Sequence, residues 1–491
     1  MSTFTSTSVH PNIVAPKLAC STELPSPYGR GLIVVGDVPL ERGEVALSVP
    51  EDCLLSIKSP FLSEADAPLQ SFLQSEAAQG MVEDDILSLR LLHEMRVNRD
   101  VSKFAGLISL LPKSYDLPFD FDDDELAAYE GTGLHPVAKA MKEQAREDFY
   151  ALVSRLQRDS SGSGKKVLED VQLDEKSFIW ALSTIWSRGI SLPLGPSETL
   201  FKALAPFFDL SNHHPLSLHK HMFDQQKRAL VIKASSTVEP GQQLLINYGL
   251  HFSRDMIKLR GFVTLPSNIN HSLGELLPAD HESVQIQVAV PPTNAERSQL
   301  LLLYPPQNPH AITKAEKEEA GTLSVLPDGT VVATFELYEG AYNAALHRVL
   351  SILMCKPEGL SSLKEALVKD RYANYDVQSE LDTCNAVGEA IAGLHEALGY
   401  PSAVEAESLL ELENASRGDA NSAAAAAAAA VGNDDRIDRR RRRLQCAFYL
   451  RSVERKILKS QMNLISGLIA DLRGLVESFS SSIPKETAST T

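Results

Sequence analysis

Residues 229–249, ALVIKASSTVEPGQQLLINYG, decide the reading of the fold: two short β-prone runs, ALVIKA (229–234) and QLLINYG (243–249), flank a turn at Pro240 and Gly241. Strands this short do not form a stable sheet alone, so they need partners elsewhere in the chain. Text of the same kind stands far upstream, where GLIVV (31–35) and VALSV (45–49) are separated by DVPLERGE, a turn broken by Pro39 and Gly43. Between the two β regions, residues 60–178 read as helix. Leu87, Leu91 and Met95 recur every four residues, and Met141, Ala145, Phe149, Leu152 and Leu156 keep the helical period. Asp122, Asp123, Asp124 and Glu125 suit a helix N-terminus before LAAYE, and Pro136 suits the first turn of the next helix. SSGSGKK (160–166) reads as a flexible polar connection, and FIWALSTIWSRGI (178–190) as a mostly apolar helix ending near Gly189. The pattern predicts an α+β fold in which residues 17–264 form one β-rich domain, its strands reuniting around a helical insert.

Residues 265–480 read as a second, α-helical domain. ELYEGAYNAALHRVLSILM (336–354) is one candidate helix, and Leu450, Val453, Ile457, Leu464, Leu468, Leu472 and Leu475 mark a long final one. SRGDANSAAAAAAAAVGNDD cannot supply a packed face and is expected to be an inserted loop, about 415–435. The run Arg439 to Arg443 is read as a solvated helix start, with a nuclear address or a nucleic-acid patch as functional alternatives. Residues 1–16, rich in Ser and Thr, and 481–491 are expected to be disordered ends.

Composition narrows the function classes. With 491 residues, 43% hydrophobic and 23% charged, the chain is long and apolar enough for substantial cores. A net charge of −17 opposes binding to a phosphate backbone and suits a basic protein partner better, so nucleic acid is not expected. Cysteines 20, 53, 355, 384 and 446 are scattered without C-x-x-C or Cys/His spacing, which points to reduced thiols and an intracellular protein, and a monomer is expected. Cytoplasm or nucleus is the expected compartment, and the acid-poor start leaves a plastid open. No run of eighteen uninterrupted apolar residues offers a membrane span.

Four separated features carry the chemistry: SPYGRGL (26–32), WSRGI (186–190), DLSNHH (209–214), and INYG (246–249) followed by RGF (260–262). Each alone is weak. Gly29 and Gly31 around Arg30 could form a simple tight loop, and the G-x-G-x-x-G of a Rossmann nucleotide site is absent because residue 34 is Val. His213, His214, His219 and His221 are dense, yet their spacing matches no zinc pattern, so no metal is expected.

The order and surroundings of these features resemble the SET-domain protein methyltransferases, in the branch typified by the Rubisco large-subunit lysine methyltransferase. LISLLPKSYDLPFDFDDDELAAYEGTGL (107–134) looks like that branch's insert, a Leu-Pro segment before an acidic helix and a Gly-Thr turn. The resemblance implies a SET domain, a helical insert and an α-helical substrate-binding domain. It also implies transfer of a methyl group from S-adenosyl-L-methionine to a side-chain nitrogen of a protein. Lysine is the first acceptor and histidine the variant; a binding scaffold without turnover is the competing class.

Carried over by motif, the backbone of Tyr28, Gly29 and Arg30 lines the cofactor pocket, and Arg188 receives the cofactor's carboxylate unless it is spent on a surface ion pair or on its helix end. Asn212 and His213 are implied to face the cofactor. Tyr248 matches the active-site tyrosine, where a phenol can help orient a polarised methyl. Phe262, after Gly261, is implied to flank the cofactor, with a core position as the alternative. Arg188, Asp209, Tyr248 and Arg260 are expected on the substrate side. Arg260 stands where many relatives have the tyrosine of Tyr-Gly-Phe; a cation there repels an ammonium and tolerates a neutral imidazole, which is why histidine stays beside lysine.

Overall fold

Apolar residues at VALSV and ALVIK need a shared core, and they find one. In the computed structural model, Leu47 lies opposite Ile232 and Val49 opposite Leu230 in an antiparallel pair. The structure describes residues 3–24, 29–99, 101–195, 199–214, 217–249, 252–263, 282–303, 322–341, 343–355, 377–399, 402, 405 and 435–482.

In chain order the strands and helices up to the last site segment are β1 (Thr3–Thr5), α1 (Ser6–Val9), β2 (Leu18–Leu24), β3 (Gly29–Val34), β4 (Val45–Pro50), β5 (Leu55–Ser56), α2 (Ala67–Gln74), α3 (Glu83–Arg96), α4 (Ala105–Leu110), α5 (Asp123–Ala127), α6 (Leu134–Arg158), α7 (Ser163–Val171), α8 (Glu175–Arg188), β6 (Ile190–Pro193), β7 (Leu200–Leu204), β8 (Lys220–Asp224), β9 (Ala229–Lys233) and α9 (Ser253–Arg260). They make three small antiparallel sheets, β1-β2-β3, β4-β9-β8 and β5-β7-β6. The last two sheets each combine a strand from before the helices with strands from after them, so the ends of the insert are stitched together. Leu18, Leu32, Leu47, Leu230, Ile232, Leu244 and Ile246 share one buried cluster. The insert packs its own core from Phe72, Leu87, Leu91, Phe149, Leu152, Phe178 and Ile185, each side chain contributing about 1.5–3 kcal/mol by leaving water. The acids before α5 form a capping box, Asp122 accepting from the Glu125 N–H and Glu125 from the Asp122 N–H.

Three expectations change here. Residues 3–16 are ordered rather than a disordered end: β1 pairs with Ala19–Ser21, and Val9, Ile13 and Ala15 are buried. An apolar residue every few positions suffices to anchor this Ser/Thr-rich start. QLLINYG is not a strand but a thread between two neighbours. Leu244 donates to Leu32 O, whereas Ile246 donates to Asn212 O, so its backbone bonds are divided rather than gathered in one ladder. SSGSGKK is a connection only as far as Gly162 (φ +80°); α7 begins at Ser163, and the Asp159 carboxylate ties the turn by accepting from Ser161 Oγ and the Gly164 N–H.

The chain divides into two compact units, one from Met1–Ala128, Pro136–Leu277 and Leu409–Cys446, the other from Tyr129–His135, Pro278–Ser408 and Ala447–Thr491. The second unit contains β10 (Ser283–Val290), α10 (Ala295–Leu303), β11 (Thr322–Val325), β12 (Val331–Tyr338), α11 (Ala344–Met354), α12 (Val377–Leu398) and most of α13 (Asp435–Ser482). It is helical, as expected, but also holds an antiparallel sheet in the order β10-β12-β11. VVATFELY alternates strictly between buried and half-buried positions, the period of a strand with one face on a core. The candidate helix at 336–354 therefore begins only at Ala344, where Asn343 caps it by accepting from the Leu346 N–H. The long final helix is present, with Leu450, Ile457 and Ile465 on its buried stripe and Leu464, Leu468 and Leu475 outside it. The low-complexity run, apart from Asp435, and the tail from 483 lie outside the described residues.

Candidate active site

Phe178, Ala181, Leu182 and Ile185 bury one face of α8, and Gly189 ends the helix so that Arg188 leaves it at the last turn. The Arg188 Nη1 donates to Asp209 Oδ2 at 2.8 Å and to the Asp209 carbonyl at 3.1 Å. Asp209 sits in a one-turn helix, Phe208–Leu210, that follows Phe207 in a left-handed backbone conformation (φ +68°). That conformation is costly for a bulky residue. Phe207 is held there by complete burial and by edge-on packing against Phe4. Burial alone would lower the Arg188 pKa, but Asp209, with Tyr115 and Tyr248, holds it above the ordinary arginine value. Arg188 is thus in an ion pair, but a buried one rather than the surface pair weighed as its alternative.

After Asp209 the chain runs parallel to the thread: His213 bridges Ile246, and the His214 N–H donates to Ile246 O. This brings residues 211–213 beside Tyr248. The Tyr248 hydroxyl donates to Ser211 O at 2.7 Å, its N–H donates to His213 Nδ1 at 3.1 Å, and the two rings lie 5.0 Å apart. Because Nδ1 accepts, a neutral His213 carries its proton on Nε2. Burial raises the Tyr248 pKa, against the pull of Arg260 and Arg188, so the phenol stays protonated.

Asn212 Nδ2 donates to Arg30 O at 2.8 Å and to Gln243 Oε1 at 2.9 Å. Gly31 makes this possible, because a Cβ there would lie 2.3 Å from Asn212 Nδ2. The glycine admits Asn212. Tyr28 lies outside the described residues, and of Gly29 only the backbone, the start of β3, is described. Arg30 is lowered in pKa by burial and by the Arg188 charge, with Asp209 opposing.

α9 ends at Gly261 (φ +78°), whose N–H returns to Met256 O and Ile257 O. Arg260, at that end, donates to the carbonyls of Ser187 and Trp186 at the close of α8, and its guanidinium lies 5.0 Å over the Tyr248 ring. Burial lowers its pKa, Tyr248 opposes and Arg188 adds to the lowering. It therefore points into the site. Phe262 is 37% exposed with its ring 6.5 Å from His213, which sets aside the core position. Two guanidinium groups, Arg188 and Arg30, thus share one buried carboxylate, Asp209, while Arg260 faces the Tyr248 ring.

Among the described residues, Arg188 Nε, Asp209 Oδ1, Ser211 Oγ and Arg260 Nε are buried polar atoms without a hydrogen-bond partner. Such atoms are costly unless a ligand completes them. The histidines are occupied separately: His219 Nδ1 accepts from the Ser235 N–H and His221 packs edge-on to Phe208. No three metal-ligating side chains converge among the described residues. Sequence reasoning missed Ser211, Gln243 and Tyr115. Tyr115 is buried beside Thr184 and Arg188, and its phenol is raised in pKa by burial, with Arg188 opposing. Its place in the Leu-Pro segment was visible, but nothing in the local spacing says that it reaches Arg188.

The fold is that of the SET-domain protein methyltransferases in the Rubisco LSMT-like branch. It matches a crystal structure of the SET domain of LSMT bound to lysine and AdoHcy with a TM-score of 0.65 at 16% identity, covering 94% of this chain and 90% of that one. A structure of Rubisco LSMT bound to AdoMet matches with a TM-score of 0.64 at 17% identity, covering 93% and 88%. By sequence the chain is similar to SET domain-containing protein 4 of Mus musculus, 27% identical over 251 residues, 48% of this chain and 53% of that protein. It is also similar to actin-histidine N-methyltransferase of Papio anubis, 28% identical over 236 residues, 48% of this chain and 38% of that protein. The chain therefore spans about half or less of the length of these curated relatives. No protein-family model matches it.

Proposed function

We propose that the chain transfers the methyl group of S-adenosyl-L-methionine to a side-chain nitrogen of a protein, with lysine as the first acceptor. The observation that carries this is the convergence of Tyr248 and Arg30 on the segment Ser211–Asn212–His213, with the Tyr248 hydroxyl 2.7 Å from the Ser211 carbonyl. The unpartnered Arg188 Nε, Asp209 Oδ1 and Ser211 Oγ suit a polar ligand. When bound, the cofactor supplies an electrophilic methyl on a sulfonium centre.

The chain's own residues position the reaction. Tyr248 spends its proton on Ser211 O and leaves its oxygen lone pairs, together with that carbonyl, as an electronegative rim for a polarised methyl. His213 fixes the Tyr248 backbone, and Asn212 ties the start of β3 at Arg30 to the same point. Phe262 and His213 form an aromatic wall on the exposed side. A lysine must lose its proton before it attacks, and a desolvated site beside a cation lowers its pKa.

Histidine is the second reading, carried by the Arg260 guanidinium over the Tyr248 ring. That fixed cation opposes entry of an ammonium and imposes no such cost on a neutral imidazole. The net charge of −17 favours a basic target, and the scattered cysteines, without metal-site spacing, support an intracellular setting. The test is calorimetric titration with S-adenosylhomocysteine, followed by transfer of labelled methyl into a proteome and mass spectrometry of the acceptor. Labelled lysine supports the first reading and labelled histidine the second. Binding without transfer identifies a scaffold and rejects both.

A further inference from the structure

The Arg439–Arg443 run, expected to be a solvated helix start, is in part buried. Arg443 Nε donates to Asp116 Oδ1 at 3.0 Å, Nη2 to Tyr115 O at 2.8 Å, and Nη1 to Glu125 Oε2 at 2.8 Å and Asp120 O at 3.1 Å. The Arg443 and Glu125 side chains are 8% and 5% exposed. A planar fork reaching four acceptors is a geometry that lysine cannot copy. Arg440, by contrast, meets Asp124 in an exposed pair, 50% and 78% accessible, of the kind that contributes little.

What Arg443 holds leads to the active site by two routes. Tyr115 places its buried side chain beside Arg188, the partner of Asp209. The Asp116 carbonyl lies so close to Gly261 that a Cβ there would stand 2.6 Å from it. Only glycine permits this approach. One helical turn after Arg443, the buried Cys446 thiol meets the Val263 backbone, so the same face of α13 touches the chain just past Phe262.

We propose that Arg443 is a positioning residue for the methyl-transfer site, gripping Tyr115 and Asp116 so that they fix the Arg188–Asp209 pair on one side and the Gly261–Phe262 turn on the other. This rests on the function proposed above. It makes the run a structural clamp with a catalytic consequence rather than a nucleic-acid patch.

The test uses the full chain with R443A, R443K, D116N and, as control, R440A. Each is titrated with S-adenosylhomocysteine and followed by hydrogen exchange. R440A should bind as wild type. R443A should weaken binding at least tenfold, R443K should recover only part of the loss, and exchange should quicken in peptides covering 113–120 and 256–263. Exchange in β4 and β9 should stay unchanged, which a loss of global stability would not allow. D116N keeps the shape of the partner and should weaken binding several-fold, which covers the case in which R443A fails to fold. Wild-type affinity in R443A and D116N, or exchange that rises equally in β4 and β9, overturns the proposal. If the wild type does not bind the analogue at all, the functional reading fails, while the exchange at 256–263 still decides whether the grip exists.

Discussion

Tyr248→Phe removes one oxygen and leaves the ring contacts with His213 and Arg260, both at 5.0 Å. The lost bond is the 2.7 Å donation to Ser211 O. A neutral hydrogen bond contributes about 1 kcal/mol net, and the carbonyl left without its donor brings the cost to about 1–3 kcal/mol. Against a typical stability of about 5–15 kcal/mol, the variant remains folded. The same oxygen, if it orients the methyl in the transition state, is worth about 10²–10³-fold in rate, close to 2.7–4 kcal/mol. Rate and stability should therefore separate. Single-turnover transfer with saturating labelled S-adenosyl-L-methionine, measured beside a thermal melt, compares them directly. A variant that keeps more than about a third of the wild-type rate, or whose loss of rate only tracks its unfolded fraction, refutes the reasoning.

Gly31→Ala should lower S-adenosylhomocysteine affinity, because the added Cβ would sit 2.3 Å from Asn212 Nδ2 and 2.8 Å from Gln243 Oε1 and must displace one of them; calorimetry reads the loss. Arg188→Met leaves the buried Asp209 carboxylate without its partner, which should cost about 3–5 kcal/mol in denaturant unfolding. Asp209→Asn keeps the shape of the pair but strands the buried Arg188 charge, and should cost a similar amount in the same measurement. His347 offers a pH test in the second unit. Burial lowers its pKa, but Cys384 and Glu380 outweigh burial and raise it to about 9. A raised folded pKa gives stability that is fully present below about 6.5, the unfolded value, and is lost as pH climbs through 9, about 3 kcal/mol at most. Unfolding free energies measured between pH 6 and 10 should fall over that window in the wild type and fall less in His347→Gln.

The split of the β regions around a helical insert was legible because VALSV and ALVIK are both β-prone runs and neither can stand alone. The site segments were legible as motifs, and Tyr248, Asn212, His213, Arg188, Asp209, Arg260 and Phe262 do come together. Their connections were less so. Arg188 bonding Asp209, or Asn212 filling the space that Gly31 leaves open, depends on approach between segments that no local period encodes. VVATFELY shows the opposite case: its alternation was present in the text, and the helical period of the following AALHRVLSILM obscured it. The start of the chain misled through composition, since three or four apolar residues were enough to order it. Arg443 misled for a related reason, because a charge run describes a surface until one member finds buried acceptors.

The most direct test of the account is to incubate the purified chain with methyl-deuterated S-adenosyl-L-methionine and a proteome from cells lacking it, then locate the label by tandem mass spectrometry. The account predicts deuterated methyl on a lysine or histidine nitrogen of a discrete protein, abolished by Tyr248→Phe. Tight binding of the methyl donor with no labelled side chain, or labelling that survives the loss of the Tyr248 hydroxyl, would contradict it.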